Sequence, residues 1–378
     1  MKYCKKCLQP DTRPGIYFSE DGVCGACLYE ESKNNIDWDQ RLSDLHAIAE
    51  WAKGKKKAYD CVVGVSGGKD STFQAVYARE KLGLHVLLVN CEPNNITDVG
   101  KHNIENLINM GFDCVKIRPN PNVERLLARK SFFEYGNIIK PSEYPLWVSA
   151  YRMALNMDIP LIIQGENASL TLGVSKTGQG QDGDAFNVTK QNTLQGCTAS
   201  EWVGDGVEES DLFFYRFPRL EEFENKEIRA IWLQYYLKEW SQVYNADFSI
   251  ARGLHGRTTE PLKDIGRYRR YSALDSDMQI PNQMIKYLKF GFGFATDEAC
   301  YDIREGRLTR EEAKWLVEQY DGKCGEQYIE QFCDYISITK EEFWEVVDRY
   351  VNKKLFYKNS RGEWTPRFEV GVDFDEGE

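Results

Sequence analysis

No apolar run in this 378-residue chain approaches the roughly 20 residues that cross a bilayer, so no membrane-spanning helix is expected. Met1-Lys2-Tyr3-Cys4 is not followed by an apolar segment and does not read as a secretion signal. The expected location is the cytoplasm, where the eleven cysteines stay reduced. Basic charge is also short: 48 Lys and Arg stand against 59 Asp and Glu, a net charge of −11. That balance argues against a general nucleic-acid binder, which presents a basic face, but leaves room for a local basic pocket. The common phosphate loop, Gly-x4-Gly-Lys-Ser/Thr, is missing. So is a cysteine-based glutaminase. Met1-Lys2 offers no N-terminal cysteine nucleophile, and Gly196-Cys197-Thr198 lacks a glycine elbow after the cysteine.

What is present centres on Asp60 to Ser71. Val62, Val63 and Val65 are β-branched and read as a buried strand. Ser66-Gly67-Gly68 turns the chain tightly and lets backbone approach a ligand. From Asp70 the pattern is helical, with Phe73, Val76, Tyr77 and Leu82 on one face. Strand, glycine turn and helix start expose backbone N–H groups at the positive end of a helix dipole, which suits a phosphate. Asp70 would repel that phosphate unless a cation bridges them, so Mg²⁺ is expected, held by one or two carboxylates and the phosphates. The plain alternative is a glycine turn before a surface helix. Ser66-Gly67-Gly68-Lys69-Asp70-Ser71 resembles the signature of the PP-loop ATP pyrophosphatases, which split ATP into AMP and pyrophosphate.

Cys4-Lys-Lys-Cys7 and Cys24-Gly-Ala-Cys27 are two knuckles sixteen residues apart, a spacing that reads as a four-thiolate zinc site. Four cysteine ligands leave no open position, so the zinc is read as structural. An iron–sulfur cluster or a redox pair are the alternatives. Residues 1–32 are too few for a core of their own, and the metal is expected to supply their stability. Ile16-Tyr17-Phe18 is a short strand candidate between the knuckles.

Residues 37–220 read as an α/β domain with a parallel sheet covered on both faces. Helices are expected over 37–58, 70–82, 97–110, 122–135 and 144–157, and strands over 60–65, 85–89, 113–117 and 160–163. Ligands in such sheets bind beyond the C-terminal strand ends. Three ends are polar: Ser66 to Ser71, Asn90 to Asn94, and Gly165-Glu166-Asn167. Glu166 would complete a carboxylate pair with Asp70, or is simply a helix N-cap neighbour. Residues 173–210 are polar and rich in glycine, and a lid over ATP and substrate is expected there, with Lys176 or Lys190 neutralising pyrophosphate.

Residues 221–378 read as mainly helical, opening with a helix over 221–244 whose aromatic face is core. Arg252, His255, Arg257, Lys263, Arg267, Arg269 and Arg270 then form a basic cluster, either an anion site or a solvated loop. Lys286 to Asp297 alternates aromatics with glycine and is expected at an acceptor pocket or an interface. Thr309 and Thr339 each begin a helix with two glutamates in its first turn. The acidic stretch 369–378 is expected to be mobile.

The four-cysteine module, the Ser-Gly-Gly-Lys-Asp-Ser loop, Gln164-Gly165-Glu166-Asn167 and the Lys289-Phe-Gly-Phe-Gly293 stretch together resemble the N-acetyl sugar amidotransferase family, over nearly the full length. Its members serve bacterial O-antigen and pseudaminic or legionaminic acid pathways. The resemblance implies conversion of an acetamido group on a nucleotide-linked sugar to an acetamidino group, using ATP, Mg²⁺ and ammonia. It further implies a separate glutaminase subunit and a channel subunit resembling imidazole glycerol phosphate synthase. Under this reading Asp70, Lys69, Glu166, Lys176 and Lys263 serve the chemical step. Val65, Ser66, Gly67, Gly68, Asp70, Ser71, Asn90 and Gly165 meet the nucleotide, with the second strand end at the adenine. Asn167, His255, Arg257 and Arg267 meet the acceptor. The rival reading is a PP-loop tRNA-thiolation enzyme with a zinc module. The negative charge and the lack of a clear catalytic cysteine pair stand against it. A non-enzymatic zinc-ribbon scaffold is the third reading, and the intact loop signature argues against that.

Overall fold

The computed structural model describes residues 1–174, 181–190 and 198–375. The N-terminal module ends in helix α1 (Gly25–Ser32). Helix α2 (Trp38–Gly54) starts where Asp37 accepts the Gln40 N–H at 2.9 Å. Then come β1 (Cys61–Gly64), α3 (Lys69–Glu80), β2 (Val86–Cys91), α4 (Asp98–Asn109), β3 (Asp113–Ile117), α5 (Pro121–Tyr135), α6 (Lys140–Met157), β4 (Leu161–Gln164) and the short α7 (Ala168–Thr171). Every one of the expected strands and helices in this stretch forms, within a few residues of its expected bounds.

Further on lie α8 (Leu220–Glu224), β5 (Arg229–Trp232) and α9 (Leu233–Tyr236). The continuous helix expected over 221–244 is therefore wrong. Ile231 opposes Ile163 and Trp232 opposes Gln164 in a parallel pairing with β4. A short run of buried residues fits a strand or a helix equally by spacing, and here sheet pairing decides. The sheet order is β3-β2-β1-β4-β5, all parallel, with the edge strand drawn from beyond residue 220.

Both faces of the sheet are buried, which is why its inner strands read as unbroken apolar runs. Cys61, Val63, Leu88 and Ile163 pack toward α2, α3 and α4. Val62, Leu87 and Ile162 pack toward α6 through Ala150, Tyr151 and Ala154.

The C-terminal part holds α10 (Gln242–Ile250), α11 (Gln279–Phe290), α12 (Phe294–Arg304), α13 (Arg310–Tyr320), α14 (Glu326–Ile336), α15 (Lys340–Tyr350) and a hairpin of β6 (Phe356–Lys358) and β7 (Trp364–Pro366). Thr309 and Thr339 form the expected capping boxes. Each cap contributes about 1 kcal/mol to its helix. Buried Asp321 accepts the N–H groups of Gly293 at 2.7 Å and Ala295 at 2.8 Å and so anchors the start of α12.

Two expectations change. The cysteine module does not rest on metal alone, because Cys4, Cys7, Cys24 and Cys27 share one apolar core with Phe332, Phe343 and Val347. Arg310 donates to the carbonyls of Cys4, at 2.9 Å, and Cys7. The acidic end is also tied down as far as it is described. The Met1 amine donates to the Phe374 carbonyl at 2.7 Å, and the Tyr3 N–H to Asp373 at 2.7 Å. Among the described residues, no helix is long and apolar enough to cross a membrane.

Candidate active site

The loop after β1 is shaped by contacts that only glycine allows. Gly67 has φ +86°, and a Cβ there would lie 2.7 Å from the Gly100 carbonyl oxygen. Gly68 is the N-cap of α3 and brings no capping side chain. The first N–H groups of α3 thus keep the open, anion-binding form expected of them. Asn90 Nδ2 donates to the Val65 carbonyl at 2.8 Å, so this residue fastens the loop from the end of β2.

Asp70 lies in the first turn of α3. Its Oδ2 meets the Lys69 ammonium at 2.6 Å, and its Oδ1 accepts from Asn245 Nδ2 at 2.8 Å. Ser249 donates to the Lys69 carbonyl at 2.8 Å. Both Asn245 and Ser249 come from α10. Glu166, beyond β4, is brought near Asp70. Burial pushes its carboxyl above the usual range and the Asp70 charge pushes it further, while donors including the Tyr301 hydroxyl oppose the shift. A buried carboxylate raised by its neighbour in this way fits a divalent cation shared with Asp70.

Gly165 lets the chain pass against α3, since a Cβ there would lie 2.2 Å from Gln74 Nε2. Asn167 is fully buried and caps α7 by accepting the Ser169 N–H at 3.0 Å. Its Nδ2 donates to the Asp182 carbonyl at 3.2 Å, which ties Asp182 to the end of β4. Lys176 and the Lys190 side chain lie outside the described residues.

The basic cluster is not gathered into one anion-facing patch. Arg257 is buried and paired with Asp277 at 2.7 Å and Glu260 at 3.0 Å. Arg267 is fully buried, donates to the carbonyls of Ile265 at 3.1 Å and Ser272 at 2.9 Å, and lies over the Phe294 ring. Both arginines therefore hold the 252–277 segment together, where little regular structure satisfies its carbonyls. Lys263 is exposed. His255 is exposed and stacks on His102 at 3.8 Å. Its backbone is joined to the phosphate loop through Asn103, whose Nδ2 donates to Gly67 at 2.8 Å and to the His255 carbonyl at 3.0 Å. Asn103 and Asn245 are single amides inside helices, and no spacing pattern announced either.

The four cysteines meet as expected. All are buried and their Sγ atoms lie within 4.8 Å of one another. The Cys4–Cys27 and Cys7–Cys24 sulfurs are 3.9 and 3.7 Å apart. A tetrahedron with metal–sulfur bonds of about 2.3 Å has edges of about 3.8 Å, so the cluster is compatible with zinc. Helix α12 joins this cluster to the site: Cys300 lies beside Cys7, Tyr301 donates to Glu166, and Arg304 donates to the Thr171 carbonyl at 3.2 Å.

A cavity of about 470 Å³ opens beside this junction, and Lys286, Phe290, Phe292 and Asp297 are in its wall. The aromatic and glycine stretch therefore lines a pocket.

A comparison with curated proteins finds no match. Among solved structures, the chain is similar to the structure of NMN synthetase from Francisella tularensis, at 15% identity and a TM-score of 0.29, covering 60% of this chain and 100% of that one. Residues 265–369 match the family described as LPS biosynthesis protein WbpG-like, C-terminal domain.

Proposed function

We propose that the chain is an ATP-dependent, AMP-forming amidotransferase acting on a nucleotide-linked N-acetyl sugar. The observation that carries this reading is the approach of Asp70 and Glu166 at neighbouring strand ends, beside the uncapped start of α3.

An amide oxygen is a poor leaving group. In the proposed reaction it attacks the α-phosphorus of ATP, the bond to the β-phosphate breaks, and pyrophosphate departs. Ammonia then adds to the carbon of the adenylated imidate. The carbon–oxygen bond breaks, AMP leaves with the original amide oxygen, and a proton is lost to give the acetamidino group.

The chain supplies placement and charge for these steps. The N–H groups of Gly68 and the first turn of α3 would receive the leaving phosphates, and the Lys69 ammonium would add positive charge there. Asp70 and Glu166 would hold Mg²⁺, which neutralises phosphate charge when bound. Asn245 and Tyr301 orient those two carboxylates. Zinc at the four cysteines would be structural. Ammonia would come from a glutaminase subunit through a separate channel subunit.

Mass spectrometry of nucleotide-sugars incubated with the chain, ATP, Mg²⁺ and ammonium tests the reaction. Replacing O by NH lowers the acceptor mass by about one unit. An unshifted acceptor across a panel of nucleotide-linked acetamido sugars, with active protein, overturns the proposal. Use of glutamine by the purified chain alone overturns the partner requirement.

A further inference from the structure

The loop between the two cysteine pairs does more than connect them. It carries Arg13 into the wall of the 470 Å³ cavity, a volume in the range of small-molecule sites. The wall also holds Lys140 and Trp147 from α6, and Lys286 and Lys289 from α11. Leu172 and Val174 line it too, so the cavity opens where the chain leaves Glu166 and α7.

The wall is rich in cations. Arg13, Lys140, Lys286 and Lys289 line it with Glu143 and Asp297, and Lys140 pairs at 3.3 Å with Glu201 outside the wall. Arg13 and Lys286 both pair with Asp297, and both lie 4.5 Å from the centre of the Phe292 ring. Two cations thus share one anion. Burial also lowers the Lys289 ammonium to about 8.

Three buried polar atoms of wall residues have no partner among the described residues: Arg13 Nε, Trp147 Nε1 and Gln283 Oε1. Arg13 is only 9% exposed. These three atoms are closed off even from the cavity, so the ligand chemistry follows from the guanidinium and ammonium groups of the wall, which favour an anionic group.

The position of Arg13 is built in. The Thr12 hydroxyl donates to the Phe290 carbonyl, and the Tyr17 N–H to the Gly173 carbonyl at 2.9 Å. Module and cavity wall touch so closely that a Cβ on Gly173 would lie 2.5 Å from the Ala26 nitrogen.

We propose that this cavity is the acceptor site, and that Arg13 reads an anionic group on the acceptor, either a phosphate or a carboxylate. The word acceptor rests on the function proposed above; the anion site itself rests on the geometry. The four-cysteine module then acts as a wall of the substrate site, with the metal fixing the loop that holds Arg13.

Calorimetric titration of the full chain tests this with three probes: UDP-N-acetylglucosamine, UDP alone and glucuronic acid. Wild type should bind at least one anionic probe. Arg13→Gln should weaken that probe tenfold or more, while zinc content and the ATP dissociation constant stay within twofold. Lys289→Gln, which removes a second cation of the wall, should weaken it several-fold. A penalty confined to the UDP probes assigns the group as phosphate, and one confined to glucuronic acid assigns it as carboxylate. Zinc-loaded variants that bind every probe as wild type does, or a wild type that binds none, overturn the proposal. An Arg13-dependent probe with no mass-shifted product leaves this site standing and sinks the amidotransferase reading. Product formed by Arg13→Gln at an unchanged acceptor KM does the reverse.

Discussion

The side-chain amide of Asn245 donates to Asp70 Oδ1 at 2.8 Å, from α10 to the first turn of α3, while the Lys69 ammonium holds Oδ2 at 2.6 Å. The carboxylate is thus oriented from both sides. Asp70→Ala should lower ATP-dependent pyrophosphate release by about 10³-fold or more, of the size seen when a main electrostatic stabiliser is lost. Asn245→Ala should cost roughly 10-fold, mostly in kcat, because it frees the carboxylate without removing it. Continuous pyrophosphate detection separates the two. An Asp70→Ala protein with more than a tenth of wild-type release would show that Asp70 is not in the machinery.

The Tyr301 hydroxyl donates to Glu166, and this bond favours the carboxylate form against the opposing pull of burial and the Asp70 charge. Removing the hydroxyl should raise the Glu166 pKa further. In Tyr301→Phe the acidic limb of the pH–rate profile should therefore move to higher pH. The plateau at high pH should change little. A profile that only drops in height, without moving, would mean that Tyr301 does not act through Glu166.

Zinc loss should reach far beyond the module. Cys24 and Cys27 share a core with Phe332 and Phe343 of α14 and α15, so the metal and the C-terminal helices should unfold together. Native mass spectrometry should find one zinc per chain. Cys24→Ser should lower zinc retention at least tenfold and bring down the melting of the helical signal. Chelation that removes the metal and leaves helix melting unmoved would show that the core holds without it.

How far the sequence spoke for the fold depends on how local each signal was. Cys61 to Gly64 and Leu161 to Gln164 were readable because two-faced burial leaves an unbroken apolar run, followed by a polar strand end. Arg229–Trp232 was not, because Ile228 to Tyr236 also carries helical spacing, and only pairing with β4 resolves it. The Ser66–Ser71 turn and the cysteine knuckles are compact motifs: the turn leads into α3 and the four cysteines come together, as their spacing implied. The basic cluster misled for the opposite reason. Arg257 finds Glu260 nearby in sequence but Asp277 only after the chain folds back, and Arg267 is satisfied by carbonyls that a sequence does not display. Arg13 gave no sign, being one arginine in a turn between knuckles whose importance comes from Asp297 and Phe292, far along the chain.

Burial also makes Glu124 a pH-sensitive element of stability. Its carboxyl is pushed up to about 7, with the Asn94 N–H at 3.1 Å and the Arg118 charge only partly opposing. The folded state therefore binds more protons than the unfolded chain between the ordinary glutamate pKa of about 4.3 and the folded value. A raised carboxyl pKa gives stability that is full below the unfolded value and is lost as pH rises through the folded one. Glu124→Gln cannot ionise and escapes that loss. The variant should match wild type or fall slightly below it at pH 4.5, and should exceed it at pH 8 by on the order of 2 kcal/mol, or a few degrees in Tm. Glu298, also pushed up to about 7 by burial, titrates in the same window, so the measurement is the difference between the two proteins at each pH. Thermal melts at half-unit steps from pH 4.5 to 8 give that curve. A difference that stays flat with pH would show that Glu124 ionises in the folded protein as readily as in the unfolded chain.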